Sequence, residues 1–501
     1  MISAGAGDTT IVERGSGASL NFGYVWTISL VAALGGLLFG YDWVVIGGAA
    51  KFYEAYFELH DTAAQVAPGA TAWAKIVGNA TSPVGWAQSC ALLGCLAGAL
   101  GAGTAGDRFG RKPVLVVAAA NFAVSSIGIA AVHTFTAFVS WRIVGGVSIG
   151  VASTISPMYI SEIAPARIRG LLVAVNQLTI VLGILAAQLA NWAIARPVPG
   201  GMSAPDFAAS WNVQWGWRWM FAACLLPSAL FLVAGLFVPE SPRWLAKAGR
   251  TKRAAAVLAR IGGPAYADAA LADVARSLAG DARGAGLRDL LAPAVRPALV
   301  LGVVLAVFQQ WCGINVIFNY AGEIFRQAGY DLNDAFTNIV ITGVVNLIFT
   351  LVALFTVDRV GRKPLMLFGA AWLALTYTAL GLCYHARAAG HAVPNAVFLI
   401  LVLAAIGGYA MSLAPVTWVI ISEIFPNHIR GIAMSVAVAA LWVACFALTY
   451  TFPIFNAQLG PSVTFWIYAT VCAAGFVYVA ARLRETKGKT LEQIEMDGTA
   501  P

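Results

Sequence analysis

The sequence predicts an all-α membrane protein of about twelve transmembrane helices, arranged as two pseudo-symmetric six-helix bundles with a helical linker between them. Three observations carry this. Of 501 residues, 59% are hydrophobic and 11% charged, against roughly half and a quarter in soluble domains. The apolar residues fall in blocks of about twenty or more, the length that crosses ~30 Å of hydrocarbon at 1.5 Å per residue. The chain also repeats itself: DRFGRK at 107–112 recurs as DRVGRK at 358–363, and Ser161-Glu162 followed by Arg169-Gly170 recurs as Ser422-Glu423 followed by Arg430-Gly431, with offsets of 251 and 261 residues. Both pairs fall in corresponding loops, after spans 2 and 8 and after spans 4 and 10. Parallel halves facing one another place a site between them near the bilayer midplane.

In chain order, residues 1–22 are polar and rich in Gly and Ser and are expected to form a flexible tail, because the charged, apolar and cleavable parts of a signal peptide do not follow one another there. The first bundle, 23–239, holds spans near 25–50, 86–105, 113–133, 135–160, 171–195 and 219–238. The long 51–85 connection is placed to form an outer cap. Residues 240–296 interrupt the apolar rhythm with Arg250, Lys252, Arg253 and Arg260 among alanines, which reads as short surface helices joining the halves. The second bundle, 297–482, holds spans near 297–325, 335–357, 364–385, 395–424, 430–455 and 462–482, and 483–501 is a tail.

With an even number of spans both tails and the linker share one side. Of 31 Lys and Arg, 24 fall there, 6 in the opposite loops (Lys51, Lys75, Arg196, Arg218, Arg326, Arg387) and one, Arg142, inside a span. That bias makes the shared side cytoplasmic and the expected location a plasma membrane. The net charge of +8 is thereby explained by orientation, without a nucleic-acid partner, since the basic residues occupy gaps between apolar blocks rather than one patch. Seven cysteines, all inside apolar blocks, read as packing residues, and five histidines lack ligand spacing. No metal or cofactor is expected. No nucleophile, base and orienting group, and no phosphate-cradling loop, indicates an enzyme.

Two ionisable residues stand inside the spans, where a charge costs several kcal/mol and rarely lacks a partner. Asp42 lies eight residues before Ala50 and Arg142 seven after Phe135, so both sit roughly 10–12 Å below the outer surface and can meet. An aspartate facing an arginine is held ionised, and one that loses the arginine in a dry cavity takes up a proton. The pair is a candidate proton-coupling device, and a static tie between spans 1 and 4 is the plainer alternative. At the cytoplasmic helix ends, Asp107, Arg108, Arg111, Glu162 and Arg169 in one half, and Asp358, Arg359, Arg362, Glu423 and Arg430 in the other, can pair as a latch weak enough to break in each cycle. The Glu with an Arg seven residues on, present twice, suggests paired roles. Anchoring by the positive-inside rule is the alternative.

The strings GGLLFGYD (35–42), Gly103 to Lys112, RIVGGVSIG (142–150), PMYISEIAPARIRG (157–170), PESPRWL (239–245), QQWCGIN (309–315), DRVGRK and ETKGKTLEQIE (485–495) together resemble the sugar porter branch of the major facilitator superfamily over nearly the whole chain. PESPR after span 6 and QQxxGxN in span 7 are the most specific. The resemblance implies a major facilitator fold and proton-linked symport, the bacterial members having an Asp at the GYD position and an Arg at the start of RxxxGxxxG. It further implies sugar contacts at Gln177, Gln309, Gln310, Asn315 and Asn346, and aromatic contacts at Trp418 and Trp442. The residue types suit sugar binding, since amides match sugar hydroxyls and an aromatic face covers the apolar side of the ring. Gly313 permits a break in span 7, and Asn315 and Asn319 lie on one face.

This chain departs from the family at Asn319, where a tyrosine is common, at Leu441 and Cys445 beside Trp442, and at Trp43, where a small residue is usual. These changes bear on which sugar is carried. The expected activity is proton-coupled uptake of a pentose or hexose such as xylose or glucose by alternating access, with the bilayer, the sugar and the proton as partners and a monomer sufficient. The rivals are a facilitative uniporter and, less strongly, a sugar-sensing receptor.

Overall fold

The computed structural model describes residues 20–59, 82–280, 289–290, 292–293, 295–425, 429–485 and 487, with the side chains of Ala166, 277–280, Asp358, Ser422 and Arg430 left out. The latch candidates Asp358 and Arg430 therefore lie outside the described side chains. So do most of the expected N-terminal tail, the 60–81 part of the expected outer cap and most of the C-terminal tail.

Among the described residues the secondary structure is helical, with eleven apolar segments long enough to cross a bilayer. One of them, Gly431–Arg482, has 52 residues. At 1.5 Å per residue this is more than twice the hydrocarbon thickness, and it bends at Gly460 (φ 78°) just before Pro461. It is two spans joined without a loop, which makes twelve. The other spans are Phe22–Tyr56, Pro83–Phe109, Arg111–Ala131, Phe135–Ile163, Arg169–Ile194 and Asn212–Phe237 in the first half, then Arg296–Asn319, Leu332–Val357, Arg362–Ala388 and Asn395–Ile421 in the second. Leu226, Phe237, Val117, Leu375 and Phe355 are exposed on the bundle exterior, as lipid-facing side chains are.

Asn21 and Thr134 cap the first turns of spans 1 and 4, and their side chains satisfy backbone N–H groups that the helix leaves free. The interruption of span 7 has a local cause. Gly313 adopts a left-handed conformation (φ 85°) that ends helix Arg296–Trp311, and Ile314–Asn319 and Ala321–Gln327 follow as separate short helices. Between the halves, Pro242–Lys247 and Thr251–Gly280 are helical, the second kinked at Gly262 and Gly263.

The repeat seen in the sequence is a repeat in space. Span 3 starts after Gly110 (φ 102°) and span 9 after Gly361 (φ 109°). In each case a distant carboxylate covers the helix N-terminus. Glu240 accepts from the backbone N–H of Arg111 at 2.9 Å and of Lys112 at 3.2 Å, and Glu485 accepts from Arg362 N–H and Lys363 N–H, both at 2.9 Å. Lys112 then donates to the Leu236 carbonyl, and Lys363 to that of Ala480. The last span of each half is thus fastened to its third, with an anion on the positive end of the helix.

Candidate functional site

The loops carrying DRFGRK and DRVGRK share one face of the molecule, here the motif face. On it, ion pairs run within each half. Arg111 bonds Asp107 at 3.0 Å and Glu162 at 2.9 Å, and Arg362 bonds Glu423 at 3.2 Å. The Glu162 carboxylate also accepts from the Ser241 hydroxyl, and Lys247 reaches Asp107 at 3.0 Å. The sequence groups Glu162 with Arg108, Arg111 and Arg169 as residues able to pair, and the arginine seven residues on suggests paired roles for it. In the structure its partner is Arg111, because the loop turns Arg169 back to the Ala164 carbonyl (3.5 Å). Arg108 lies over the Phe109 ring, and Arg359 is exposed.

On the opposite face the two halves meet. Lys51, at the end of span 1, pairs with Glu323 of the short helix after span 7 at 2.9 Å. Asn333 exchanges two hydrogen bonds with the Val198 backbone, Gln188 of span 5 donates to Thr342 of span 8, and Tyr450 of span 11 accepts from Ser82 N–H. Phe52 stacks on Phe336 with centroids 5.9 Å apart. Contact is close enough that a Cβ on Gly47 would lie 2.7 Å from the Asn319 carbonyl oxygen. Glu323 lies beyond the last residue of span 7. Burial pushes its carboxyl up, but Arg326 and Lys51 more than offset this and hold it at about 2.

Between these faces the structure brings Asp42 and Arg142 together. Arg142 Nη1 donates to Oδ1 at 3.0 Å and Oδ2 at 2.9 Å, and the residues are 6% and 2% exposed. The guanidinium also sits over the Phe221 ring of span 6 at 5.4 Å. A charge pair this deep holds together because removing either partner strands the other, at a cost of about 3–5 kcal/mol.

The amides of span 7 form a chain. Gln309 donates to the Tyr409 hydroxyl at 2.6 Å, Gln310 donates to Gln309, and Asn315 donates to Gln310 and, at 3.6 Å, to the sulfur of Cys445. Gly313 turns the backbone between them. Asn346 is buried in span 8 and Gln177 half-buried in span 5, and neither joins this chain through a direct bond. Trp442 is buried against Trp43 and Phe39 of span 1, with centroids 6.0 and 6.1 Å away, so an aromatic group bridges the halves beside the amides. Trp418 is 37% exposed and stands apart from that group. Several participants escaped sequence reasoning. Tyr409 and Gln88 sit in apolar spans with no pattern to mark them. Glu240 and Glu485 were visible only as parts of longer motif strings, and the available signal was that each follows the sixth span of its half.

Two facing six-span halves, joined on one face and separately clasped on the other around a buried charge pair and an amide cluster, define a membrane transporter of the major facilitator fold. The chain belongs to the sugar (and other) transporter family, whose model matches residues 28–497. It is 38% identical to a D-xylose-proton symporter of Escherichia coli (strain K12), over 95% of this chain and 96% of that protein. It is also 38% identical to an arabinose-proton symporter of Bacillus subtilis (strain 168), with the same coverage. A solved structure of the xylose transporter XylE from E. coli, in a partially occluded inward-open conformation, matches with a TM-score of 0.78 and 36% identity over 93% of this chain and 100% of that one. The family consists of transporters, not enzymes.

Proposed function

We propose that this protein imports a monosaccharide, a pentose or hexose such as xylose or glucose, together with a proton by alternating access. The observation that carries the reading is the buried Asp42–Arg142 pair, set between spans 1 and 4 and beside the interface of the halves. Two relatives named as proton symporters for pentoses support it. Protonation of Asp42 would release Arg142 and loosen span 1 against span 4. Sugar held by Gln309, Gln310, Asn315 and the aromatic face of Trp442, with Gln177, Asn346 and Trp418 reached as the cavity closes, would draw span 7 to the first half. The motif face is read as cytoplasmic from its excess of Lys and Arg, in a bacterial inner membrane with both termini inside. The conformation described is then inward-facing, and Arg111, Glu162, Arg362 and Glu423, with Asp107, Arg108, Arg169, Asp358, Arg359 and Arg430, form the latch that regroups when the inner side closes.

Proteoliposome uptake with and without an imposed pH gradient tests the reading. Asp42→Asn is expected to abolish sugar accumulation while preserving counterflow exchange. Accumulation unchanged by the substitution would remove the proton role and leave facilitated diffusion.

A further inference from the structure

A small, partly enclosed cavity lies beside the charge pair, lined by Trp43 and Ile46 of span 1, Gln88 and Cys95 of span 2, Arg142 of span 4 and Asn319 of span 7. Its volume of ≈ 10 Å³, measured for the centre of a water-sized sphere, is about what one water molecule requires. The polar atoms around it form a matched set. Both atoms of the Gln88 amide, Arg142 Nε and the Asn319 carboxamide oxygen are buried and make no direct hydrogen bond. Gln88 and Asn319 are each 3% exposed. The Tyr53 hydroxyl interacts with the Gln88 amide, yet it too lacks a direct hydrogen bond. Of these four atoms on lining residues, two are donors and two are acceptors, and a water molecule offers two of each. Buried polar groups left without a partner cost about 1–3 kcal/mol apiece, so a site collecting four of them around a water-sized space is built for water.

We propose that this cavity holds one ordered water, and that Gln88 and Asn319 are positioning residues which, through it, set the pH at which the Asp42–Arg142 pair accepts its proton. The proposal rests on the proton role given to that pair. Its distinctive element is Asn319, which belongs to the second half whereas the other partners belong to the first. The Asn319 backbone is held against Gly47 where the opposite face is closed. Opening that face moves span 7 and takes one acceptor from the water, so the solvation of the pair differs between the two states. The titratable groups facing the pair are Tyr41 and Tyr53 of span 1, Cys90 and Cys95 of span 2 and Cys224 of span 6. Glu54, near Tyr53, is tied to Lys51 at 3.3 Å, and Cys445 of span 11 faces Cys95.

The test is the external pH at which proton-driven sugar uptake is half-maximal in proteoliposomes, for Asn319→Leu, Gln88→Leu and the double variant. The water accepts from Arg142 Nε, an acceptor the guanidinium needs most once Asp42 is protonated and no longer pairs with it, so losing the water favours the ionised pair. Each single variant is expected to move the midpoint downward by on the order of one pH unit, the worth of one hydrogen bond to a charged group. The double variant is expected to move it no further, because either change removes the same water, and Asn319→Ser, which keeps a polar partner and leaves room for water, is expected to restore the wild-type value. Unchanged midpoints in both single variants, or shifts that add in the double variant, would overturn the proposal. If Asn319→Leu fails to fold, Gln88→Leu and Gln88→Met carry the same test. Asp42→Asn is measured in parallel: accumulation that survives it sinks the proton role itself, whereas lost accumulation with unmoved midpoints sinks only the water.

Discussion

Glu323→Gln isolates the ion pair that closes the opposite face. The Glu323 carboxyl sits at about 2 instead of 4.5, worth about 3 kcal/mol at 1.36 kcal/mol per tenfold. Arg326, on the same short helix at 2.6 Å, takes part of this, and Lys51 is 34% exposed and so partly screened by solvent. The share that crosses between the halves is therefore about 1 kcal/mol, or about fivefold in population. Distances measured by pulsed electron resonance between labels at Ala208 and Thr337, both exposed on that face, are expected to shift toward the open population by about that factor. The apparent affinity for sugar loaded from that side is expected to rise in step, because affinity scales with the fraction of competent molecules. A carboxyl held this low contributes its ion pair fully above pH 4.5 and loses it only as pH falls toward 2. The substitution is thus expected to have the same effect at pH 5.5 and pH 7.5. An unmoved distance distribution, or an effect that appears only on one side of neutral pH, would refute the assignment of a closing role to this pair.

Gly47→Ala forces a methyl to 2.7 Å from the Asn319 carbonyl oxygen, and overpacking of this kind costs about 1–3 kcal/mol, so the same labels are expected to show a larger opening than with Glu323→Gln. An unchanged distribution would mean that the backbones part locally without moving the halves. Glu240→Ala and Glu485→Ala each strip the carboxylate cap from a third helix, at a cost of about 1–2 kcal/mol. Both are expected to lower the melting temperature in detergent by similar amounts, and a loss confined to one of them would break the equivalence. Trp43→Ala removes the ring 6.0 Å from Trp442 and is expected to broaden sugar selectivity, read by competition of a panel of sugars against labelled xylose and glucose. An unaltered ranking would clear Trp43 of that role.

The helices were legible because lipid admits few alternatives. A backbone in hydrocarbon must satisfy its own hydrogen bonds, so long apolar blocks identify spans even where their ends drift by several residues. The Asp42–Arg142 contact was legible for a related reason, since two charges at one depth have little else to meet. What sequence did not reveal depends on loops and on shape. Glu162 finds Arg111, not Arg169, because a turn re-aims the second arginine. Spans 11 and 12 run into one another through Gly460 where a loop was expected. Gln88 is one polar residue in an apolar run, and only the packing of spans 1, 2, 4 and 7 places it beside the charge pair.

The clasps made by Glu240 and Glu485 mark out the units from which such a chain could have been doubled. Each six-helix unit carries, just past its final helix, the group that locks it to its own third helix, while the helices at 242–247 and 251–280 fall outside both locks. A backbone break within 251–280 therefore leaves two complete pieces, and co-expressed fragments are expected to reassemble in a bilayer. Trimming back through Glu485 takes a fastening from the second unit, whereas a fusion partner attached beyond Lys487 leaves it in place. What reads as a polar tail at residue 485 is, mechanically, a stitch of the fold.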